Sequence, residues 1–295
     1  MTTANNNLGA ATYQKEFKSL METVFENRAY FGDFFGGGIE TLDGIQHNET
    51  AFYVKTSDIP VVVGTYSKDA NVGMGTGTSK TNRFGDRTEV IYKDTPVPYT
   101  WEWAFHEGID IHTVNKDLNG AVADRLDLQA QAKVNQMNAK HGAFISASAA
   151  KELELSGYGA DEVLAVFNEL ANYFVNIESI GTKAAKVSPE LYNAIVDHPL
   201  TTSGKSSAAN IDQNSILTFK GFQIEEIPEA HLAEDEVAYA YVQGVGKAFV
   251  GINTARTIPS EDFDGVALQG AGKAGEFILE DNKKAVAKVK LVPGA

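Results

Sequence analysis

Apolar and polar positions repeat along this chain with two periods, and the switches between them mark out its elements. Ile111, Val114, Leu118, Val122, Leu126, Ala130, Val134 and Met137 recur every three or four residues, the spacing that lines one face of a helix. Gly142 stands where a stop is expected. The pattern predicts one helix of about thirty residues, roughly 40 Å long at ~1.5 Å per residue and far above the average of ~11 to 12 residues. A helix of that length would act as a strut through the body, with Gly120 as its weak point.

Shorter helical patterns flank it. Tyr13, Phe17, Leu20 and Val24 fall at helical spacing, and the stretch runs on through Phe31, Phe34 and Phe35 into Gly36-Gly37-Gly38, which reads as a short helix followed by a hinge. Aromatic residues this dense need burial, either in their own core or against another chain. A second helix is expected from Asp161 to Phe174, with acids in its first turn and a stripe of Val163, Phe167, Leu170 and Phe174. A third starts at Ser188-Pro189-Glu190, where Ser caps and Pro suits the first helical position.

Period-two alternation marks the strands. It is cleanest from Val97 to Phe105, where Val97, Tyr99, Trp101, Trp103 and Phe105 face one way. Residues 49 to 63 look extended, with Pro60 pointing to an edge, and Thr88 to Asp94 also reads as a strand. Between these arms, Gly64 to Arg87 holds five Gly among many Ser, Thr and Asn and predicts a long loop tip. The arms and tip together make a protruding hairpin that could bury little of itself. Further strands are expected at 216–227, 237–242, 247–252 and 285–291, with an exposed polar stretch from Pro199 to Ser215. Helices and strands come in blocks, so the class is α+β.

Composition narrows the function. The 295 residues, 43% of them apolar, can fill one large core or two packed subdomains. With no Cys, disulfides, thiolate nucleophiles and cysteine-based zinc sites are excluded, which fits a reducing compartment. The first residues lack a basic start and an apolar run, and nothing approaches the ~20 apolar residues that span a bilayer. A net charge of −14 opposes wrapping nucleic acid, which relies on Lys and Arg at phosphates.

Candidate chemistry is sparse. Gly270-Ala271-Gly272-Lys273-Ala274-Gly275 has the glycine spacing of a dinucleotide loop, but too little chain follows for the rest of that unit, and a glycine-rich turn is expected. Gly204-Lys205-Ser206 lacks the first glycine of a phosphate loop, and Gly73 to Gly77 reads as part of the tip. His106, Glu107, Asp110 and His112 gather four metal-competent groups in no standard zinc spacing, and a structural role at a strand-to-helix junction is expected there. Glu225, Glu226, Glu229, Glu234, Asp235 and Glu236 form an acidic run read as a solvated loop. The tip is locally basic, with Lys68, Lys80, Arg83 and Arg87 against Asp69 and Asp86, and would suit an acidic neighbour.

The order of elements, together with Ala185 to Ala194, Phe219 to Ile224, Gly246 to Ile252 and Phe263 to Gln269, resembles the major capsid proteins of tailed phages with the Hong Kong 97-type fold. The resemblance covers essentially the whole chain. It implies an N-terminal arm at 1–47, an E-loop at 48–108, a peripheral domain with the spine helix at 109–150, an axial domain at 151–275 and a return strand at 276–295. It also implies hexamers and pentamers in an icosahedral shell that encloses double-stranded DNA without sequence-specific binding. Arm and E-loop would lie over neighbouring subunits, so Lys68, Lys80, Arg83, Arg87, Phe17, Phe31, Phe34 and Phe35 become the expected intersubunit contacts.

Partners implied are other copies of the chain, a portal, and scaffolding or decoration proteins, with no cofactor, no metal and no membrane. The protein would be made in a bacterial cytoplasm and reside in the virion. Some members carry a scaffolding region of about a hundred residues before the arm; here a separate scaffolding protein, or none, is expected. Others crosslink an E-loop Lys to an Asn, and with no partner recognisable for Lys68 or Lys80 no crosslink is expected. An encapsulin-type compartment shell shares the fold and stays open as an alternative, as does, further off, a nucleotide- or metal-dependent enzyme.

Overall fold

The computed structural model describes residues 28–41, 50–57, 59–69, 83–85, 87–114, 117–203, 210 and 213–292. They belong to two compact units, a body (Met1–Gly44 with Thr100–Ala295) and a second unit (Ile45–Tyr99). The expected helix through Tyr13, Phe17, Leu20 and Val24 lies outside the described residues.

Two sheets organise the body. The first has six strands in the order β5 (Lys151–Leu155), β12 (Val286–Leu291), β9 (Glu236–Val242), β6 (Lys183–Val187), β8 (Phe222–Glu226) and β7 (Thr218–Phe219). Strand β9 is buried along its whole length, as a central strand covered on both faces must be. Its Ala238, Ala240 and Val242 point into a core formed with α2 (Ala160–Asn176) and α3 (Pro189–Val196), where Phe167, Leu170, Phe174, Leu191 and Ile195 pack. Tyr239 and Tyr241, one step out of phase, enter a second core with Phe31, Phe34, Phe35 and Ile145. Alternation along one strand thus divides two cores.

Both helix starts follow the expected chemistry. The Ser188 hydroxyl accepts from Leu191 N–H with Pro189 in the first turn, and α2 carries Asp161 and Glu162 at its positive end. The expected strand 216–227 is cut in two by Lys220 and Gly221, whose φ angles of 51° and 86° make the tight turn joining β7 to β8. The stretch after Pro199 opens with a short helix, α4 (Pro199–Ser203), in which the buried Thr201 hydroxyl donates to the His198 carbonyl at 2.6 Å, with the carbonyls of Ile195 and Val196 also within reach at 3.1 and 3.0 Å.

The second sheet runs β1 (Ile39–Thr41), β10 (Gly246–Pro259), β11 (Gly265–Ile278), β4 (Trp101–Asp110). It corrects the reading of Gly270 to Gly275, which is not a turn but the interior of β11, between β10 and β4. Small residues there let the sheet pack closely: a Cβ on Gly270 would come within 3.3 Å of the Thr254 carbonyl oxygen and 3.6 Å of Trp103. The alternation that suggested one strand from Val97 to Phe105 is broken after Pro98. Strand β3 (Lys93–Pro98) pairs with β2 (Thr50–Thr56) in the second unit, while β4 pairs with β11 in the body. Both tryptophans therefore sit in the body, where Trp101 and Trp103 pack with Val250, Ala274 and Met137.

The long helix is present as α1 (Leu118–Ser148), 31 residues, shifted toward the C-terminus from its expected place. At its start, β4 keeps its register with β11 through Asp110 and the bond from Ile111 N–H to the Asp264 carbonyl, so sheet pairing claims the residues that periodicity gave to the helix. Asp117 then caps it, accepting from Gly120 N–H at 3.0 Å. At its end Gly142 is not a stop. It is a contact point, because a Cβ there would overlap the His231 carbonyl oxygen, so the helix needs glycine to approach the 3₁₀ turn Glu229–His231.

Candidate assembly surfaces

The second unit begins with the β2–β3 ladder, which runs from Thr50↔Pro98 to Thr56↔Lys93 and is tied at its end by the Thr56 and Thr95 hydroxyls, 3.0 Å apart. Beyond it the two arms continue without pairing. Residues 59–66 and 87–92 form no strand, although continuing the register would set Ile59 opposite Val90. A cleft of about 780 Å³ lies between them, lined by Ile59, Val61, Val62, Phe84, Val90 and Tyr92 among others. The arms meet again where Ser67 N–H donates to the Arg83 carbonyl at 3.0 Å, Arg83 Nη1 donates to the Ser67 carbonyl at 3.1 Å, and Tyr66 meets Phe84 edge-on at 5.2 Å.

This surface is apolar to an unusual degree. Val61 and Val63 are each 91% exposed, Val62 76% and Phe84 82%. A run of large apolar side chains left in water marks an interaction site in a soluble chain. Of the basic residues expected at the tip, Lys68 and Arg87 are exposed and make no ion pair with the described residues, whereas Arg83 is partly used in closing the loop. Lys80 and Phe17 lie outside the described residues.

The aromatic residues of the arm require a correction. Phe31, Phe34 and Phe35 are 0%, 0% and 3% exposed within their own chain. Phe34 stacks edge-on against Phe35 and Tyr241, both at 4.9 Å, and its carbonyl accepts from Gly246 N–H at 3.1 Å. The burial that these residues needed is supplied by the body, which removes the reason for giving them to a neighbour.

What fastens this segment was not legible from periodicity. Lys186, only 2% exposed inside the apolar strand β6, pairs with Asp33 at 3.2 Å and with Glu225. Arg28 reaches Glu225 at 3.1 Å, and the Tyr241 hydroxyl donates to Asp33 at 2.8 Å. Asn138 of α1 brackets the other side, accepting from Tyr30 N–H and donating to the Arg28 carbonyl. A buried ammonium between two carboxylates holds its neighbours firmly, because removing one partner leaves a charge stranded. Glu225 and Glu236 of the acidic run are thus structural: Glu236 accepts from Ser146 at 2.8 Å and pairs with Lys288 at 2.9 Å.

A third polar cluster sits at the start of β4. The buried Glu276 carboxylate accepts from Trp101 Nε1 at 2.9 Å and Thr100 Oγ1 at 2.8 Å, with His141 Nε2 at 3.6 Å. Burial pushes the Glu276 carboxyl above its usual range and pushes the His141 imidazole down to about 4, so His141 is neutral at pH 7.

Features that suggested catalysis are absorbed by the fold. Along β4, His106 and Glu107 alternate to opposite faces. Glu107 is held by Arg125 and by Gln129 at 2.6 Å, hydrogen bonds that lower its pKa, while His106 lies 3.3 Å from Gln269. Asp110 Oδ1 accepts from His112 N–H, and His112 pairs with Asp264 at 3.3 Å. Among the described residues no three His, Asp or Glu side chains are grouped as metal ligands. No helix among them is long and apolar enough to cross a membrane.

Solved structures place this architecture. The capsid of the cyanophage P-SCSP1u matches 98% of this chain with 97% of its own, at a TM-score of 0.71 and 12% identity. The chain has the Hong Kong 97-type fold of phage capsid proteins. The mature capsid of bacteriophage PhiM1 matches this capsid fold at a TM-score of 0.68 and 10% identity, covering 96% of this chain and 93% of that one. A virus-like particle from Pyrococcus furiosus follows at 0.53 and 15%, covering 90% and 93%. Neither a family model nor a curated protein sequence matches the chain. The likeness to these structures is one of fold, at 10 to 15% sequence identity.

Proposed function

We propose that this protein is a major capsid protein, copies of which assemble as hexamers and pentamers into an icosahedral phage head around double-stranded DNA. The observation that carries the reading is the match of the whole chain, body and second unit together, to phage capsid subunits. The surface of the second unit supports it, since Val61, Val62 and Val63 are costly to leave in water at about 0.8 kcal/mol per exposed CH₂ equivalent. Charge supports containment of DNA without gripping it. Residues 45–99 hold six Lys and Arg against six Asp and Glu, so the body carries the whole net charge of −14. The other expected partners, a portal and scaffolding or decoration proteins, belong to the same proposal, as do synthesis in a bacterial cytoplasm and residence in the virion.

Sedimentation velocity and negative-stain microscopy of the purified full chain test it. Capsomers or closed shells are the expected result; monomers alone at every concentration and salt tested would refute it. The likeness to the Pyrococcus particle, at a lower TM-score, favours a compartment shell as the second reading. Terminase and portal genes beside this one decide for the phage, and a cargo enzyme gene decides for the compartment.

A further inference from the structure

One buried carboxylate in the body holds two donors at a strand root while a third group faces the same oxygen. Glu276 of β11 is 6% exposed, and its two oxygens have different partners. Oε2 accepts from Thr100 Oγ1 at 2.8 Å, whereas Oε1 accepts from Trp101 Nε1 at 2.9 Å and faces His141 Nε2 at 3.6 Å. Thr100 and Trp101 stand where the second unit, Ile45–Tyr99, gives way to the body. Their backbone is held by the bond from Thr100 N–H to the Ala274 carbonyl at 3.0 Å and by the start of the β4 ladder at Trp101↔Ala274. Their side chains are held by Glu276. Among the described residues the other charges nearby are few. Lys140, beside His141 on α1, acts on Glu276 through space, and Lys133 lies over the Trp103 ring at 4.1 Å. In register with Glu276 across the sheet are Ala248 and Ile39. Glu40, Lys247 and Glu102, one step out of phase on their strands, alternate to the opposite face, where Glu102 pairs with Lys273 at 3.0 Å. The His141 ring otherwise meets apolar groups: Phe35 at 4.5 Å, with Phe31, Val134 and Met137 lining the same cavity of about 330 Å³.

We propose that Glu276 Oε1 is an acid-sensitive latch: at neutral pH it holds the Trp101 indole, and a proton taken from solvent between Oε1 and His141 Nε2 draws the carboxyl to the imidazole and releases the indole, loosening the strand root. A protonated Oε1 is a donor aimed at the imidazole, and a protonated imidazole is a donor aimed at Oε1. In both forms the new partner of that oxygen is His141. The bond given up is the weaker one, because a hydrogen bond to an ionised acceptor is about twice as strong as one to a neutral acceptor. Thr100 keeps its bond to Oε2, so release is confined to the indole side. Burial raises the Glu276 carboxyl above its ordinary range, which carries its titration toward mild acid. A histidine beside a buried acid is a usual means by which a fold responds to the proton.

Trp101 and Trp103 are the two tryptophans of the chain, so nitrogen-15 tryptophan labelling gives two indole signals, which Trp103→Phe assigns. The unassembled full chain is titrated from about pH 7.5 to about pH 4.5, with far-UV circular dichroism recorded alongside. The Trp101 indole proton should move upfield in one step and lose its exchange protection at least about tenfold beyond the intrinsic pH dependence of exchange, while the Trp103 signal stays in place. Glu276→Gln, which cannot ionise, should abolish the step. His141→Phe removes the competing partner and should keep the indole bonded throughout, whereas a Glu276 with a purely structural role would titrate alike with or without His141. A flat Trp101 signal over a range in which the unsubstituted chain stays folded overturns the latch, as does a step of unchanged size and midpoint in His141→Phe. Unfolding that precedes the step also overturns it. Each of these failures leaves the shell reading untouched.

Discussion

Replacing Phe34 with alanine separates an aromatic residue that belongs to the body from one that waits for a neighbour. In this structure its ring is fully buried, meets Phe35 and Tyr241 edge-on at 4.9 Å each, and fills the space beside Gly246. Truncation removes a whole ring from a packed core, which costs about 3 to 5 kcal/mol as lost transfer energy and residual cavity. Edge-on aromatic pairs of this kind contribute roughly 0.5 to 1.5 kcal/mol each within that range. With a urea m-value of about 3 kcal/mol per molar, at the upper end for small proteins, the midpoint should fall by about 1 to 1.7 M. The assay is urea unfolding of the unassembled subunit, followed by tryptophan fluorescence, since both Trp101 and Trp103 lie in the same unit. A midpoint shift below about 0.3 M, equivalent to less than ~1 kcal/mol, combined with weakened assembly, would refute the argument and return Phe34 to the contact surface.

Other consequences follow from named groups. His141 has a folded pKa of about 4 against an ordinary 6.5; between those values the unfolded chain binds the extra proton, so stability falls with pH through that window. The loss at pH 5 should be about 2 kcal/mol, and His141→Phe should flatten the difference between urea midpoints at pH 7 and pH 5. Although burial opposes it, hydrogen bonds from Lys288, Tyr239 and Ser146 hold the Glu236 carboxyl below its usual range, so its contribution is present above the usual carboxylate pKa and lost as pH falls through the lowered one. Lys288→Ala strands that buried carboxylate and should cost about 3 to 5 kcal/mol, read by thermal unfolding at pH 7, with a smaller penalty at pH 4. Gly142→Ala pits a helix-propensity gain of ~1 kcal/mol against a clash with the His231 carbonyl oxygen; a net loss in melting temperature is expected, and a gain would show that the close approach of α1 is not required. Finally, bodies carrying the whole charge of −14 repel one another until screened, so the assembly threshold measured by light scattering should drop as salt rises from about 0.01 to 0.15 M, where the Debye length shrinks from roughly 30 to 8 Å.

Local chemistry by itself determined the elements whose signals lie within a few residues of one another. Ser188-Pro189 starts a helix because a hydroxyl and a preset φ act on the next turn, and the stripe of α2 is readable because one face packs on one core. The long helix was legible in kind but not in place. Its N-terminal boundary is set by pairing of β4 with β11, about 155 residues away in sequence as Asp110↔Gly265 shows. Gly142 had the look of a stop until a distant carbonyl explained it. The glycines of β11 read as a turn for the same reason: periodicity has no access to the two strands that flank them.

Ownership of exposed and buried surface was likewise a tertiary matter. The sequence could establish that Phe31, Phe34 and Phe35 must be buried and that Val61 to Val63 are apolar, but not by whom. Packing decided that the phenylalanines are satisfied at home and that the valines are left over, because burial is a property of what folds around a residue. Lys186 makes the same point from the polar side. In sequence it interrupts an apolar strand, and only the approach of Asp33 and Glu225 from other parts of the chain turns that interruption into the lock at the root of the arm.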